Sequence, residues 1–553
     1  MPLPRRKAVF KPLLMGVNDN TNILSIRDDQ ANRVQNFHID ENGVAYSRGG
    51  SNVQNTTALS GAITSIYDFR RPSGSGTASI LLVTAGTWLY KWNTSTLVFD
   101  AIQELSTSTR PTWATFQDSN AVSYAILANG TDFIKYNGSA VTNVSAAAYP
   151  WTDNPRYIMA YDDRMLASGC DSDPYKVFVS DTLDCTDWLP GAGATAVYWT
   201  VKGQKGDRVL GLGTIYNFAL FFQQFGVTLI NEADPDSTTS VQRQVSSQYG
   251  TTSHWSIVTI GDYIYFAGQN HIYIGMLREA IEEGLVVREI DDNIHNLYKE
   301  VNNATDIVSV YDPVHNEILW GIETRAYGKN NYSIVYNLKR SSPADKIHVW
   351  SGWFSGTGYE PYTLGSVKTS TGDIYVYRGD ESGYVYIMEE STQYKDETVA
   401  ATVITEKNIP YEITTAAVMP YGLGITKRAR QFYPYLSQRY DASTKLQWIV
   451  DSRFIGPDTD QYVTGPEPGD EQYVTLYNRV PFWSAGTQTK TSQTWGSTLY
   501  GQNAVMPRPV SINEGFQYIQ FKIINVGSNA KEHLTYGGGE LWYQVHRLRR
   551  TAG

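Results

Sequence analysis

The sequence predicts an all-β chain: a β-propeller of about seven blades with a helical insertion, followed by a C-terminal β-domain. Three observations predict it. First, Gly86-Thr87-Trp88-Leu89-Tyr90-Lys91-Trp92-Asn93 returns as Gly130-Thr131-Asp132-Phe133-Ile134-Lys135-Tyr136-Asn137. Each copy is a Gly turn, a short alternating strand and an Asn that opens the next turn. Second, comparable strands end at Asn93, Asn137, Asp181, Asn231, Gly275, Asn337 and Met388, so the successive spacings are 44, 44, 50, 44, 62 and 51. Repeats of this length are blade-sized, and the longer spacings need only grown loops, which cost little. Third, 39 Tyr, 14 Trp and 18 Phe against 8 Met favour strands over helices. The competing arrangement is an irregular all-β sandwich with chance repeats.

In chain order, residues 1–60 read as a leader that ends in a hairpin. Asn42-Gly43, between two alternating runs, is a strong hairpin signal. The propeller is expected over 61–396. Ile66-Tyr67-Asp68-Phe69, Ile80-Leu81-Leu82-Val83 and Trp88-Leu89-Tyr90 are strands of its first unit, and Trp113 to Tyr136 repeats their order. Phe218-Ala219-Leu220-Phe221-Phe222 is apolar on both faces and reads as an inner, fully covered strand. Between the fifth and sixth units, Leu277 and Ile281 have helical spacing ahead of Gly284, and 290–298 reads as a second helical stretch. The carboxylates Glu279, Glu282 and Glu283 there read as a solvated helix face.

Beyond about residue 396 the period is lost, and 397–553 is expected to be a separate β-domain that can pack on the propeller. Within it Gln461-Tyr462-Val463-Thr464 recurs as Gln472-Tyr473-Val474-Thr475 across a turn that holds Pro466, Glu467, Pro468 and Asp470. This is read as a projecting contact hairpin, because prolines and acids at a tip belong in water or against a partner.

Composition narrows the function. With 55 Asp and Glu against 45 Lys and Arg, the net charge of −10 argues against a protein that grips nucleic acid along its surface. Cys170 and Cys185 flank one predicted strand, which leaves a local disulfide open, but so sparse a pair reads better as two reduced thiols. The basic start is not followed by an export signal, and no apolar run approaches the roughly twenty residues of a membrane span. The eight His residues show no metal-ligand spacing, and no phosphate loop or nucleophile elbow is present. No catalytic residue, metal, cofactor or small-molecule substrate is therefore predicted.

The order of several motifs carries a resemblance. The leader runs through a Gly, an Asn, a basic-acidic pair, Gln30-Ala31, Asn36 before the hairpin, and Arg48-Gly49. Asp163-Arg164-Met165-Leu166-Ala167-Ser168-Gly169 is followed by Asp173-Pro174, Val177-Phe178-Val179-Ser180 and Asp184 to Trp188, and then by Ile260-Gly261-Asp262-Tyr263-Ile264-Tyr265-Phe266. Over roughly 16–390 these patterns resemble the tail nozzle, or packaged-DNA stabilisation, β-propeller family of short-tailed bacteriophages. The resemblance implies a structural virion protein of the tail, assembled in the host cytoplasm as a hexameric ring below the portal and adaptor. It implies contacts with tail fibres and tail-tip proteins, and DNA that passes through without specific binding.

The alternative is a sialidase-like glycosidase or carbohydrate-binding tail protein acting on host surface sugars. Phe69-Arg70-Arg71-Pro72 resembles that family's carboxylate-binding motif, with Arg70 as the contact, and Ser180 to Trp188 faintly resembles an Asp box. Both depart from the pattern. Arg71 stands where an apolar residue belongs, and the Asp box lacks its Gly and occurs once.

Overall fold

The computed structural model describes the chain except residues 1–4, 20–22, 74–75, 145–149, 190–194, 202–206, 231–241, 278–284, 370–371, 391–394, 401, 422–424, 426, 440–442, 451–472, 478–505, 508–509, 512–514, 526–532 and 546–553. Four-stranded antiparallel units follow one another along the sequence. Blade one is Ile63–Ser73, Gly76–Ala85, Trp88–Asn93 and Val98–Glu104, and blade two is Thr112–Gln117, Ser123–Ala128, Phe133–Tyr136 and Val141–Asn143. Blade three starts at Tyr157–Tyr161, blade four at Gly211–Ile215, blade five at Val258–Ile260, blade six at Val308–Asp312 and blade seven at Thr363–Lys368. The first strands of successive blades touch in order, and the first strand of blade seven returns to that of blade one. The ring is closed, and the chain is a seven-bladed β-propeller.

Every strand of the predicted repeat is the third strand of a blade. The seven are Trp88–Asn93, Phe133–Tyr136, Lys176–Val179, Gly226–Ile230, Ile272–Leu277, Tyr332–Asn337 and Val385–Glu390. The repeat's glycines serve the turns that lead into the first two of these. Gly86 and Gly130 hold φ of +54° and +90°, a backbone region that a side chain strains. Each adjacent pair of blades then buries one apolar cluster. Phe69, Leu82 and Leu127 lie between blades one and two, Phe178 and Trp188 meet Ile126 and Phe133 between two and three, and Leu220 and Phe222 meet Phe266 between four and five.

Two expectations are refined. Phe218–Gln223 is covered on both faces as predicted, but it is the second strand of blade four, one removed from the axis. In the insertion, helix is formed by His295–Tyr298, whereas Met276 and Leu277 extend the third strand of blade five and pair with Val286 and Leu285. Glu279, Glu282 and Glu283 lie outside the described residues.

The leader is not a separate unit. Gly50–Val53 is the fourth strand of blade seven, pairing antiparallel with Val385–Glu390. The reason is topological: the last blade has three strands from its own stretch of chain, and its outer edge would otherwise stay unpaired. Ala31–Gln35 joins the edge of blade six beside Glu412–Thr415, and the predicted hairpin, Phe37–Ile39 with Ala45–Ser47, pairs with His533–Val545.

The residues after 396 form strands, including Ser443–Val450, Ile519–Asn525 and His533–Val545, but their core is shared. Phe432, Phe521 and Leu541 lie in one cluster with Phe10 and Phe37 of the leader and with Tyr265, Trp320 and Trp350 of blades five and six. Phe432 and Phe521 stack with ring centroids 3.7 Å apart. C-terminal strands, leader and two blades are thus built on a single core.

Candidate functional site

Three regions gather polar side chains against shaped surface: the axis of the propeller, a groove on one face, and the seam where the leader enters.

The axis holds a cavity of about 380 Å³ between the first strands of blades one to five. Tyr67 and Trp113 stack on its wall at 5.0 Å, and Trp113 Nε1 donates to Ser65 Oγ at 2.9 Å. Towards one mouth, Arg110 Nη2 donates to the Tyr362 carbonyl at 2.8 Å, and Trp255 Nε1 donates to the Pro111 carbonyl at 3.0 Å. These bonds tie the linker between blades one and two to blade five and to the entrance of blade seven. A space of this volume suits a small molecule, not a nucleic-acid strand. His254, on its wall, is half-buried; desolvation disfavours its charged form and lowers its pKa to about 4.

The groove, of about 1150 Å³, opens on the face where the loops between second and third strands emerge from blades three, four and five. Tyr175, Arg208, Gln224 and Asn302 line it. On its wall His271 and His295 stack at 4.8 Å around the fully buried Asp291, whose carboxylate lies 3.1 Å from one Nδ1 and 3.4 Å from the other. Asp19 of the leader accepts from the Leu297 amide at 2.6 Å at the start of the short helix. Burial is the larger influence on that carboxyl and raises its pKa to about 6.

At the seam, Asn36 adopts φ +62° and its side chain is fully used. Its Nδ2 donates to the carbonyls of Ser355 and Pro410, while its Oδ1 accepts from the Ser355 amide and from Arg48 Nε, both at 2.9 Å. The Arg48 guanidinium grips Asp396 with two bonds, of 3.0 and 2.5 Å, and both side chains are 1% exposed. Burial alone would raise the Asp396 carboxyl, but Arg48, with Arg378 and Ser51, outweighs it and holds the pKa below the ordinary range. One leader arginine therefore fastens the strand Lys395–Ala400 against Gly50–Val53.

Close by is a second histidine pair. His38 Nδ1 meets Glu317 Oε2 at 2.6 Å, and His315 Nδ1 meets Asp312 Oδ2 at 2.6 Å. The two rings stack at 4.0 Å, and Glu389 Oε2 lies 3.1 Å from His38 Nε2.

Arg70, the alternative carbohydrate contact, lies on the first strand of blade one. Its Nε is ion-paired to Asp68 Oδ2 at 2.6 Å, and Asp68 also accepts from the Lys368 amide at 3.0 Å. The Asp-box-like stretch is a structural turn: Asp184 caps Thr186, and Trp188 is buried and donates to the Cys185 carbonyl at 2.9 Å. Cys170 and Cys185 are both free and buried, and burial pushes both thiols up, away from the nucleophilic form. Of the contact hairpin, Tyr473 falls in a described strand, Tyr473–Tyr477, which pairs with Ser443–Val450. Gln461, Tyr462, Pro466, Glu467, Pro468 and Asp470 lie outside the described residues.

Spacing rules miss both histidine clusters. His38 and Glu317 are 279 positions apart, and no local pattern links them.

No protein-family model and no curated protein matches this chain. Among solved structures it is similar to a chain of "Crystal Structure of Mitotic Checkpoint Complex", with 11% identity and a TM-score of 0.38, over 61% of this chain and 96% of that one.

Proposed function

We propose that this chain is a structural subunit of a short bacteriophage tail, one of a hexameric nozzle ring that extends the DNA channel below the portal and adaptor, helps to retain packaged DNA and conducts it at ejection. One observation carries the reading. The leader residues that resemble the nozzle family are the ones that sew the molecule together: Asn36 and Arg48 bond to blade six, to blade seven's neighbour strand and to each other. Signature residues that join distant strands, with their polar groups satisfied internally, are what a mechanical part requires.

In this reading DNA runs between subunits and not along a propeller axis, because the axial cavity holds only about 380 Å³. A wall that must release DNA quickly gains from weak binding, since each neutralised phosphate adds counterion-release free energy. The excess of 55 acidic over 45 basic residues fits that demand. The sugar-binding alternative draws little from Arg70, whose guanidinium is already paired with Asp68.

Cryo-EM of virions carrying a tagged copy tests the proposal. The expected result is a ring of six copies between the adaptor and the tail tip, with a lumen poorer in Lys and Arg than its outer face. A tag found on fibres or capsid, or sialoside turnover that disappears in Arg70→Ala, overturns it.

A further inference from the structure

We propose that His38, His315 and Glu389 form a binding site for a divalent transition ion of the zinc type, clamping the leader to blades six and seven. One ligand atom from each of the three lies within 4.8 Å of the others. His38 comes from the leader hairpin, His315 from the turn between the first two strands of blade six, and Glu389 from the third strand of blade seven.

The supporting shell is what distinguishes this cluster. Metal-binding imidazoles characteristically direct their second nitrogen to a carboxylate, which fixes the ring and raises its basicity. Here both rings have that partner through Nδ1: Glu317 for His38 and Asp312 for His315. Each ring thus turns Nε2 away from its orienting carboxylate, and that of His38 lies 3.1 Å from Glu389 Oε2. His38 is fully buried with its Nε2 facing Glu389 Oε2, and Glu389 Oε1 is buried without a hydrogen bond. A buried carboxylate oxygen without a partner is costly unless something fills the space beside it.

Glu389 is also held in an unusual way. Its backbone has φ +58°, at a register shift between Ile387 and Glu390, and its other oxygen accepts from the Gly49 amide at 2.6 Å. A bulge of this kind re-aims a side chain, here inward towards the two rings. Two imidazoles and one carboxylate suit zinc and its neighbours, with a fourth position left for water. His315, at 17% exposure, is the most open of the three and gives the ion its way in.

The groove cluster of His271, Asp291 and His295 differs. Both of its rings direct Nδ1 at Asp291 itself, so the carboxylate that would bind the ion is also what orients the rings.

Cobalt(II) is the probe. The full chain is stripped with EDTA, loaded with Co²⁺ and gel-filtered. We expect one cobalt per chain, visible d–d absorption, and displacement by one equivalent of Zn²⁺. His315→Gln and Glu389→Gln should each weaken binding by more than the roughly 10- to 100-fold that loss of an outer-shell partner costs, while His271→Gln leaves it unchanged. Should His315→Gln fail to fold, X-ray absorption at the cobalt edge in the His271→Gln chain decides, with two imidazoles and a carboxylate expected. No retained cobalt, an all-oxygen shell, or binding that follows His271 overturns the site and leaves His38 a salt-bridged histidine only.

Discussion

Blades two to four and blades six and seven share one architecture but are held together differently. Blade two takes its four strands from one uninterrupted stretch, Thr112 to Asn143, and buries its faces against its two neighbours. Blade seven borrows its outer strand, Gly50–Val53, from the other end of the chain, and blade six accepts Ala31–Gln35 and the C-terminal strands beyond it. The first region is built from local hairpins, each stable once its neighbours are in place. The second is where the ring is closed, and its strength rests on partners hundreds of residues apart. A closed ring has no terminal sheet to fray, so the closing blade controls the whole propeller.

The largest expected effect removes the closure. Deleting residues 1–53 should abolish the cooperative unfolding transition, because blade seven loses a strand and the shared core loses Phe10, Val34 and Phe37. As a contrast within the local region, Trp188→Ala should cost about 3–5 kcal/mol yet still fold. Circular dichroism with heating separates them, and a truncated chain that melts cooperatively near the full-length midpoint would break the comparison.

Next is the seam's ion pair. Arg48→Met leaves Asp396 buried without its ion-pair partner, which should cost about 3–5 kcal/mol in urea unfolding. The double variant Arg48→Met with Asp396→Leu should recover part of that loss, and absence of any recovery would mean that the arginine acts through packing alone.

A pH dependence belongs to the locally built side. His254 is held near pKa 4 in the fold and titrates near 6.5 when unfolded, so its contribution is present above pH 6.5 and is lost as pH falls towards 4. In that window stability should drop by up to about 1.4 kcal/mol per pH unit on account of this residue. His254→Gln should flatten that portion of the profile, and an unchanged slope would contradict the neutral, desolvated ring.

Smaller still, Arg70→Ala should change stability by no more than about 1 kcal/mol, since the arginine is half exposed in its pair with Asp68. Deleting 465–470 should leave the melting temperature of the subunit unaltered while impairing ring assembly. A collapse in thermal stability there would place the loop in the core and not at a contact.

What could be read from the residues follows the same division. The seven repeat strands, from Trp88–Asn93 to Val385–Glu390, were legible because each is framed by its own turn within a few positions. The Asn42-Gly43 hairpin was legible for the same reason, and Asp40 Oδ1 accepts from the amides of Asn42 and Val44 at 2.8 Å to fix its turn. At Met276 and Leu277 the helical period misled, since pairing with Val286 and Leu285 in blade five makes them strand; residues 278–284 lie outside the described residues. Strand pairing is a tertiary contact, and it overrides a short periodic pattern.

By itself the sequence determined one strand of every blade, and with it a count of about seven, because hairpins are written in adjacent residues whose turns and alternation are local. Only the tertiary structure decided that Gly50–Val53 closes blade seven, that the leader and the C-terminal strands share a core with blades five and six, and that His38, His315 and Glu389 meet. Those outcomes depend on segments that find each other across most of the chain, where burial of a common core, and no pattern within any one segment, selects the partner.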